Sequence, residues 1–403
     1  MPAIKRTLLF FIITMLILTP VLTQAAPFDE SAEKGANIFG LDPIEEELPE
    51  EEPPAEELAA EKPPEEELPA EEPPAKNEIP LLSIETDAFD FATEKAKGLD
   101  KYGLSLFPLS GFFLGQAEEI LYKYPGRDQY VSQLLWDILP VIYIGFSFDY
   151  GLKDPFQNNG LTAAVSMKFG LPLGSGAMED RDWVSRDHDG LTDFSWHEAY
   201  SINTLVLDVY AGYSWHILNN FSLSAYGEFS FMYFSWSAEN GYSQYNSDSS
   251  GNPINGGSWN SSIPKSNMYG PIILYNQNWF LISPGVQAKY KINSLFTLDA
   301  FLNYSPLIFG FSRDDHLIGD KKTSWDFPRF GHYLNGRLKL TYSLLSKIDL
   351  SCSLSYKFIT GSRGDSIYQP ANYADGQVFQ NIYNSGAGLG VFDFFLAVRI
   401  NIF

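Results

Sequence analysis

The chain has 403 residues but a single cysteine, Cys352, and only five histidines. One thiol excludes a disulfide framework and a multi-cysteine zinc site. Positive charge is also scarce. Against 50 Asp and Glu there are 27 Lys and Arg, a net charge of −23. A nucleic-acid binder needs a basic footprint, so nucleic acid is not expected as a partner. From about Leu104 onward no apolar run is long enough for a membrane helix. Charged residues make up only 19% of the chain, yet aromatics reach 15%. These figures imply a mosaic of one very acidic part and one aromatic-rich, charge-poor part.

Lys5 and Arg6 precede an apolar run from Leu8 to Leu22 that Pro20 interrupts, and Thr23-Gln24-Ala25 follows. This is the pattern of a secretory signal peptide over residues 1–25, with a signal anchor as the other reading. No cysteine follows, so a lipoprotein is not expected. Residues 26–80 read as a disordered acidic Pro/Glu-rich spacer. Between Glu45 and Glu78 there are fifteen Glu and two Lys, so −13 of the −23 sits there and −10 remains for the rest. Like-charge repulsion and repeated Pro-Pro keep such a segment extended. In a polyproline conformation it spans on the order of 100 Å. It serves either as a tether across the periplasm or as an inert linker, and composition does not choose between them.

Residues 81–403 read differently. Leu205, Leu207, Val209, Ala211, Tyr213 and Trp215 alternate with Val206, Asp208, Tyr210, Gly212 and Ser214. Leu350, Cys352, Leu354, Tyr356 and Phe358 alternate with Asp349, Ser351, Ser353, Ser355 and Lys357. Apolar residues on one face and polar residues on the other, with aromatic ends, mark a transmembrane β-barrel. In lipid the sheet must close so that no backbone group is left unpaired. The fold class expected is all-β: a ten-stranded antiparallel transmembrane barrel with long extracellular loops. Strands are expected to begin near Leu104, Val131, Leu161, Thr204, Phe221, Tyr275, Phe296, Tyr333, Ile348 and Gly388. Asp180–Ser201, Glu239–Asn267 and Asp314–His332 read as long outer loops, and Ser346-Lys347 as a short periplasmic turn. Arg363-Gly-Asp365 falls in an expected outer loop and reads as a chance tripeptide.

Two acidic clusters carry chemical potential. Asp180 and Asp182 lie two residues apart, as do Asp314 and His316. On a strand such pairs point to one side. Neighbouring carboxylates can share a proton, and an Asp-oriented imidazole is a general base near neutral pH. Facing each other across a barrel mouth, the two pairs can hold a water that attacks a peptide carbonyl. Solvated rim charge is the other reading of the same residues.

These residues and their order resemble the omptin family of outer-membrane endoproteases. The resemblance is carried by Leu104–Gly111, by Glu119-Ile-Leu-Tyr122, by Met178-Glu-Asp-Arg-Asp-Trp183, by Thr192-Asp-Phe-Ser-Trp-His197 and by Asp314-Asp-His316. It implies that Asp314 orients His316, that Asp180 and Asp182 form the facing pair, and that the nucleophile is a water between His316 and Asp180. Glu119 and Asp193 would be acidic residues of the substrate pockets before and after the scissile bond, pairing with Lys or Arg side chains. Cationic peptides or proteins and outer-membrane lipids are the implied partners. No cofactor or metal is expected, and a lipid activator is left open. His197 corresponds to a histidine near the cleft, with a loop-hydrogen-bonding role as the alternative. The site would face the cell exterior and the acidic spacer the periplasm. A catalytically idle barrel acting as adhesin or surface anchor is the alternative function, and a diffusion porin a further one.

The chain departs from the family pattern in three places. The acidic residue usual two positions before the dyad Asp is Ser312, beside Arg313. The pocket is thus expected to lack one charge, which puts a strict preference for Arg in question. The charged lipid-binding motif of the fifth strand reads Phe229-Ser-Phe-Met-Tyr233. The acidic spacer has no counterpart in the family pattern. Finally, Asp299, Asn303 and Ser305 have the wrong parity to share a face with Asp314 and His316. Pro306 between them predicts an irregularity from Ser305 to Ser312.

Overall fold

The structure is a computed structural model that describes residues 100–123, 129–172, 175–184, 190–246, 258–319, 321–370 and 378–402. The signal-peptide and spacer readings and the terminal Phe403 lie outside these residues. Among the described residues every regular element is a strand: β1 (Tyr102–Tyr122), β2 (Tyr130–Leu152), β3 (Gly160–Gly170), β4 (Ser175–Asp182), β5 (Asp193–Leu218), β6 (Phe221–Tyr245), β7 (Ser266–Asn267), β8 (Pro271–Lys291), β9 (Phe296–His316), β10 (Lys322–Leu345), β11 (Ile348–Pro370) and β12 (Phe379–Asn401). Both β3 and β4 lie between β2 and β5, as successive pieces of one barrel strand. β7 is a two-residue extension along β6. The rest pair antiparallel in chain order, and β12 returns to β1 with Leu106 opposite Ile400 and Leu121 opposite Ser385. The result is a closed ring of ten strands. At that seam a Cβ on Gly115 would lie 1.9 Å from the Gly390 carbonyl oxygen, so glycine is what lets the two backbones meet.

The alternation read from the sequence is the alternation of burial. In β11, Leu350, Cys352 and Leu354 are exposed on the outside, while Asp349, Ser351, Ser353, Ser355 and Lys357 are buried inside. Exposed apolar residues such as Ile144, Trp215, Leu302, Leu340 and Leu396 form a belt around the ring. This is surface built to meet hydrocarbon. Its outermost members at the end carrying the β4–β5 and β9–β10 connections are Leu139, Tyr200, Phe280, Phe309 and Phe330.

Paired charges cross the middle of the lumen. Lys168 pairs with Asp393, which also accepts the Tyr143 hydroxyl at 2.5 Å. Lys357 pairs with Asp208 at 2.6 Å, and Asn303 donates to Glu228 at 2.6 Å. Buried charge is tolerable because it is paired. Nearer the β4–β5 end, Phe113, Phe234, Trp236, Trp136 and Tyr275 stack in a layer reaching from β1 and β2 across to β6 and β8.

β1, β2, β3, β6, β9 and β11 begin within two residues of the sequence expectation. β5, β8, β10 and β12 begin earlier, at Asp193, Pro271, Lys322 and Phe379. Most of the segments expected as the Asp180–Ser201 and Asp314–His332 loops is therefore paired strand. Beyond the belt both sheet faces tolerate polar residues, so the hydrophobic alternation fades while the backbone ladder continues. The Arg363-Gly-Asp365 tripeptide likewise lies within β11, where Arg329 donates to Asp365 at 2.8 Å.

Candidate active site

The predicted irregularity in β9 is present. Asn303 and Ser305 are buried, Pro306 and Leu307 are both exposed, and burial resumes at Ile308, Ser312 and Asp314. The ladder to β10 shifts register in the same stretch, between Ser312 opposite Asp326 and Ser305 opposite Tyr333. A bulge of this kind moves all later side chains to the other face. It turns Asp314 inward, where it is 2% exposed, with Oδ2 2.7 Å from Nε2 of His316. The sequence pairing of these two groups is thus a contact. The other Asp314 oxygen, Oδ1, is buried without a hydrogen-bond partner among the described residues.

Asp180 and Asp182 end β4, opposite Leu134 and Ser132 of β2 and opposite Ser195 and Asp193 of β5. Ser132 Oγ donates to Asp180 Oδ1 at 3.4 Å. The hairpin is tied by Thr192, whose hydroxyl donates to the Asp182 carbonyl at 2.9 Å and accepts the Val184 amide at 3.1 Å. Asp193 is buried, and its Oδ1 accepts the Asn246 amide at 2.6 Å. That bond anchors the β6–β7 connection.

Asp193 and Asp314 lie beyond Tyr200 and Phe309, the exposed apolar residues nearest this end of their strands, and Asp180 and Asp182 pair with β5 beyond Tyr200, outside the lipid-spanning segment. Burial is the main influence on Asp180, whose carboxyl is pushed up to about 7. The Lys322 ammonium opposes that rise and the Asp314 charge adds to it. Burial and the Asp180 charge likewise hold Asp182 well above the usual carboxylate range. Asp180 on β4 and Asp314 on β9 are thus close enough for the charge of one to act on the other. The walls meet directly where Gln277 Nε2 of β8 donates to the Glu118 carbonyl of β1 at 2.8 Å.

Glu119 is buried on β1, opposite Leu134, which in turn is opposite Asp180. Two strand spacings, on the order of 10 Å, separate the two backbones. Burial first, then the charges of Asp314 and Asp326, hold its carboxyl well above the ordinary value. Its Oε2 is buried with no partner among the described residues. His197 stands apart. Nδ1 sits 2.5 Å from the Asn240 carbonyl and Nε2 2.9 Å from Ser195 Oγ, so both ring nitrogens are engaged. Asn240 has a φ of 53°, a left-handed conformation that this bond helps to hold.

Two site residues escaped the sequence reading, Lys322 and Asp326. Both fall in a stretch read as loop. Inside β10, however, Ser324, Asp326 and Pro328 are buried while Trp325 and Phe327 are only partly so, which is a period of two. That alternation was the available signal.

The omptin family profile matches residues 101–402, the whole ring of strands. The chain belongs to the omptin family. It is 27% identical to the plasminogen activator of Yersinia pestis over 213 residues, 52% of this chain and 62% of that relative. The matched stretch is therefore less than two thirds of the relative's length. The outer membrane protease OmpT from Escherichia coli shares the fold. It superposes with a TM-score of 0.65 at 16% identity, over 74% of this chain and 97% of that one. As an omptin barrel with a lipid-facing belt, the chain belongs in the outer membrane.

Proposed function

We propose that this omptin is an endopeptidase that hydrolyses exposed peptide bonds near basic residues, with water as the nucleophile. The observation that carries the reading is the 2.7 Å contact of His316 Nε2 with the buried Asp314, in a cleft shared with Asp180 and Asp182. His316 takes a proton from the water. Asp314 fixes the imidazole and stabilises its charged form. Asp180 and Asp182, one of them retaining a proton, hold the water from the other side and supply a proton to the developing tetrahedral oxygen or leaving amine. In an aspartic-type mechanism of this kind no side chain forms a covalent intermediate. Asp193 and Glu119 flank the cleft as the two cation-preferring pockets, and the end bearing the site faces the exterior. Exposed proteins or peptides are the substrates.

The test is cleavage of peptides containing paired Lys/Arg by the full mature chain refolded in detergent, with and without added lipid. His316→Ala and Asp180→Ala are each expected to lower kcat/KM by about 10²–10⁴-fold, the usual worth of a positioned proton-transfer group. Undiminished cleavage in either variant overturns the mechanism.

A further inference from the structure

Position 312 is the place where the pocket before the scissile bond was expected to have lost a charge. In the folded chain, the residue directly opposite Ser312 on the neighbouring strand is Asp326. Its carboxylate is 4% exposed, and its Oδ2 accepts the Ser312 hydroxyl at 3.3 Å. We propose that Asp326 is the second acidic wall of this pocket, so that Glu119 and Asp326 together take the guanidinium or ammonium group of a substrate Arg or Lys. The charge absent at position 312 is supplied from the next strand, and strong selection for a cationic side chain is retained.

Several independent features favour a ligand here. Glu119 is 9% exposed, and its Oε2 has no hydrogen-bond partner among the described residues. Among those residues no Lys or Arg forms an ion pair with Glu119, Asp314 or Asp326. The strongest cationic influence on Glu119 is Lys322, which makes no such contact. Buried carboxylates without a cation are expensive, so Glu119 and Asp326 favour the approach of one. Between β1 and β10 the wall is built by β11 and β12, whose inward residues there are Ser362, Ser366, Ser385 and Ala387, all small and buried. Hydroxyls of Ser366, Ser312 and Ser385 hold the Asp326 charge. An arriving guanidinium finds carboxylates on two sides and, among the described side chains lining the strands between, small ones. Burial and the Asp314 charge raise the carboxyls of both walls, and an incoming cation lowers both.

This inference rests on the peptidase reading, and the experiment separates the two. Matched peptides carrying Arg or citrulline, its uncharged near-isostere, before the scissile bond are compared in the full mature chain. Asp326→Asn is expected to lower the Arg-over-citrulline ratio of kcat/KM by about 10- to 100-fold, the worth of a charge-assisted contact. The exchange variant Ser312→Asp/Asp326→Ser, which returns one carboxylate to the same strand pair, is expected to restore it. Binding of a non-cleavable Arg peptide, followed by intrinsic tryptophan fluorescence, is measured alongside. Active protein whose ratio is unmoved by Asp326→Asn overturns the pocket and leaves the peptidase. Absent cleavage together with Arg-peptide binding that weakens in Asp326→Asn overturns the peptidase and leaves the pocket. If Asp326→Asn fails to fold, the exchange variant decides: loss of Arg preference there counts against the proposal.

Discussion

Asp299 and Asp314 both point into the barrel from β9, although they are fifteen positions apart in the chain. An odd separation is incompatible with one face of an uninterrupted strand. The extra step is taken at Pro306 and Leu307. Deleting Leu307 restores simple alternation and sends Asp314 and His316 to the outer face. The expected result is a folded barrel without measurable hydrolysis, checked by peptide cleavage alongside circular dichroism.

Asp180 titrates near 7 and Asp326 near 6, both raised from an ordinary carboxylate. A carboxyl with a raised folded value binds more protons folded than unfolded between the two values. Its stabilising contribution is therefore present in full below about pH 4 and is lost as pH rises towards 6 and 7. Each such group tilts stability downward by at most about 1.4 kcal/mol per pH unit in that window. Urea midpoints of the empty barrel should fall between pH 4.5 and 7.5. The slope should be shallower in Asp180→Asn.

Lys322 lowers the Asp180 value against the effect of burial. Lys322→Met removes that counterweight and raises the pH at which Asp180 ionises. If hydrolysis requires ionised Asp180, the acidic limb of the pH profile moves upward. A limb that moves downward or stays in place counts against a charge role for Lys322.

His197 and His316 should respond differently to truncation. His197 spends both nitrogens on Asn240 and Ser195. His197→Ala should cost about 1–3 kcal/mol of stability through the hydrogen bonds lost, with the shape of the pH profile unchanged. His316→Ala should lower kcat by about 10²–10⁴-fold. Urea unfolding and kcat measured on both variants distinguish a tie from a base.

Much of this was legible in the chain. The dyad at Asp314 and His316 and the pair at Asp180 and Asp182 were set by i, i+2 spacing, and the Pro306 bulge by a conflict of parity. The length of β5 and β10 was not, because past the lipid belt polarity no longer alternates with the backbone. Around Asp326 a short alternation with Trp325 and Phe327 survives, but it is too brief to mark a strand by itself. A cross-strand partner such as Ser312 is also a property of register, and no local spacing in the sequence encodes it.

The aromatic layer from Phe113 to Tyr275 and the paired lysines beneath it have an electrical consequence. A tube that crosses a bilayer would ordinarily be a leak. Here stacked rings and lysine–carboxylate pairs cross the middle of the bore, which raises the barrier to ion passage. Little conductance is therefore expected when the barrel is inserted in a planar bilayer.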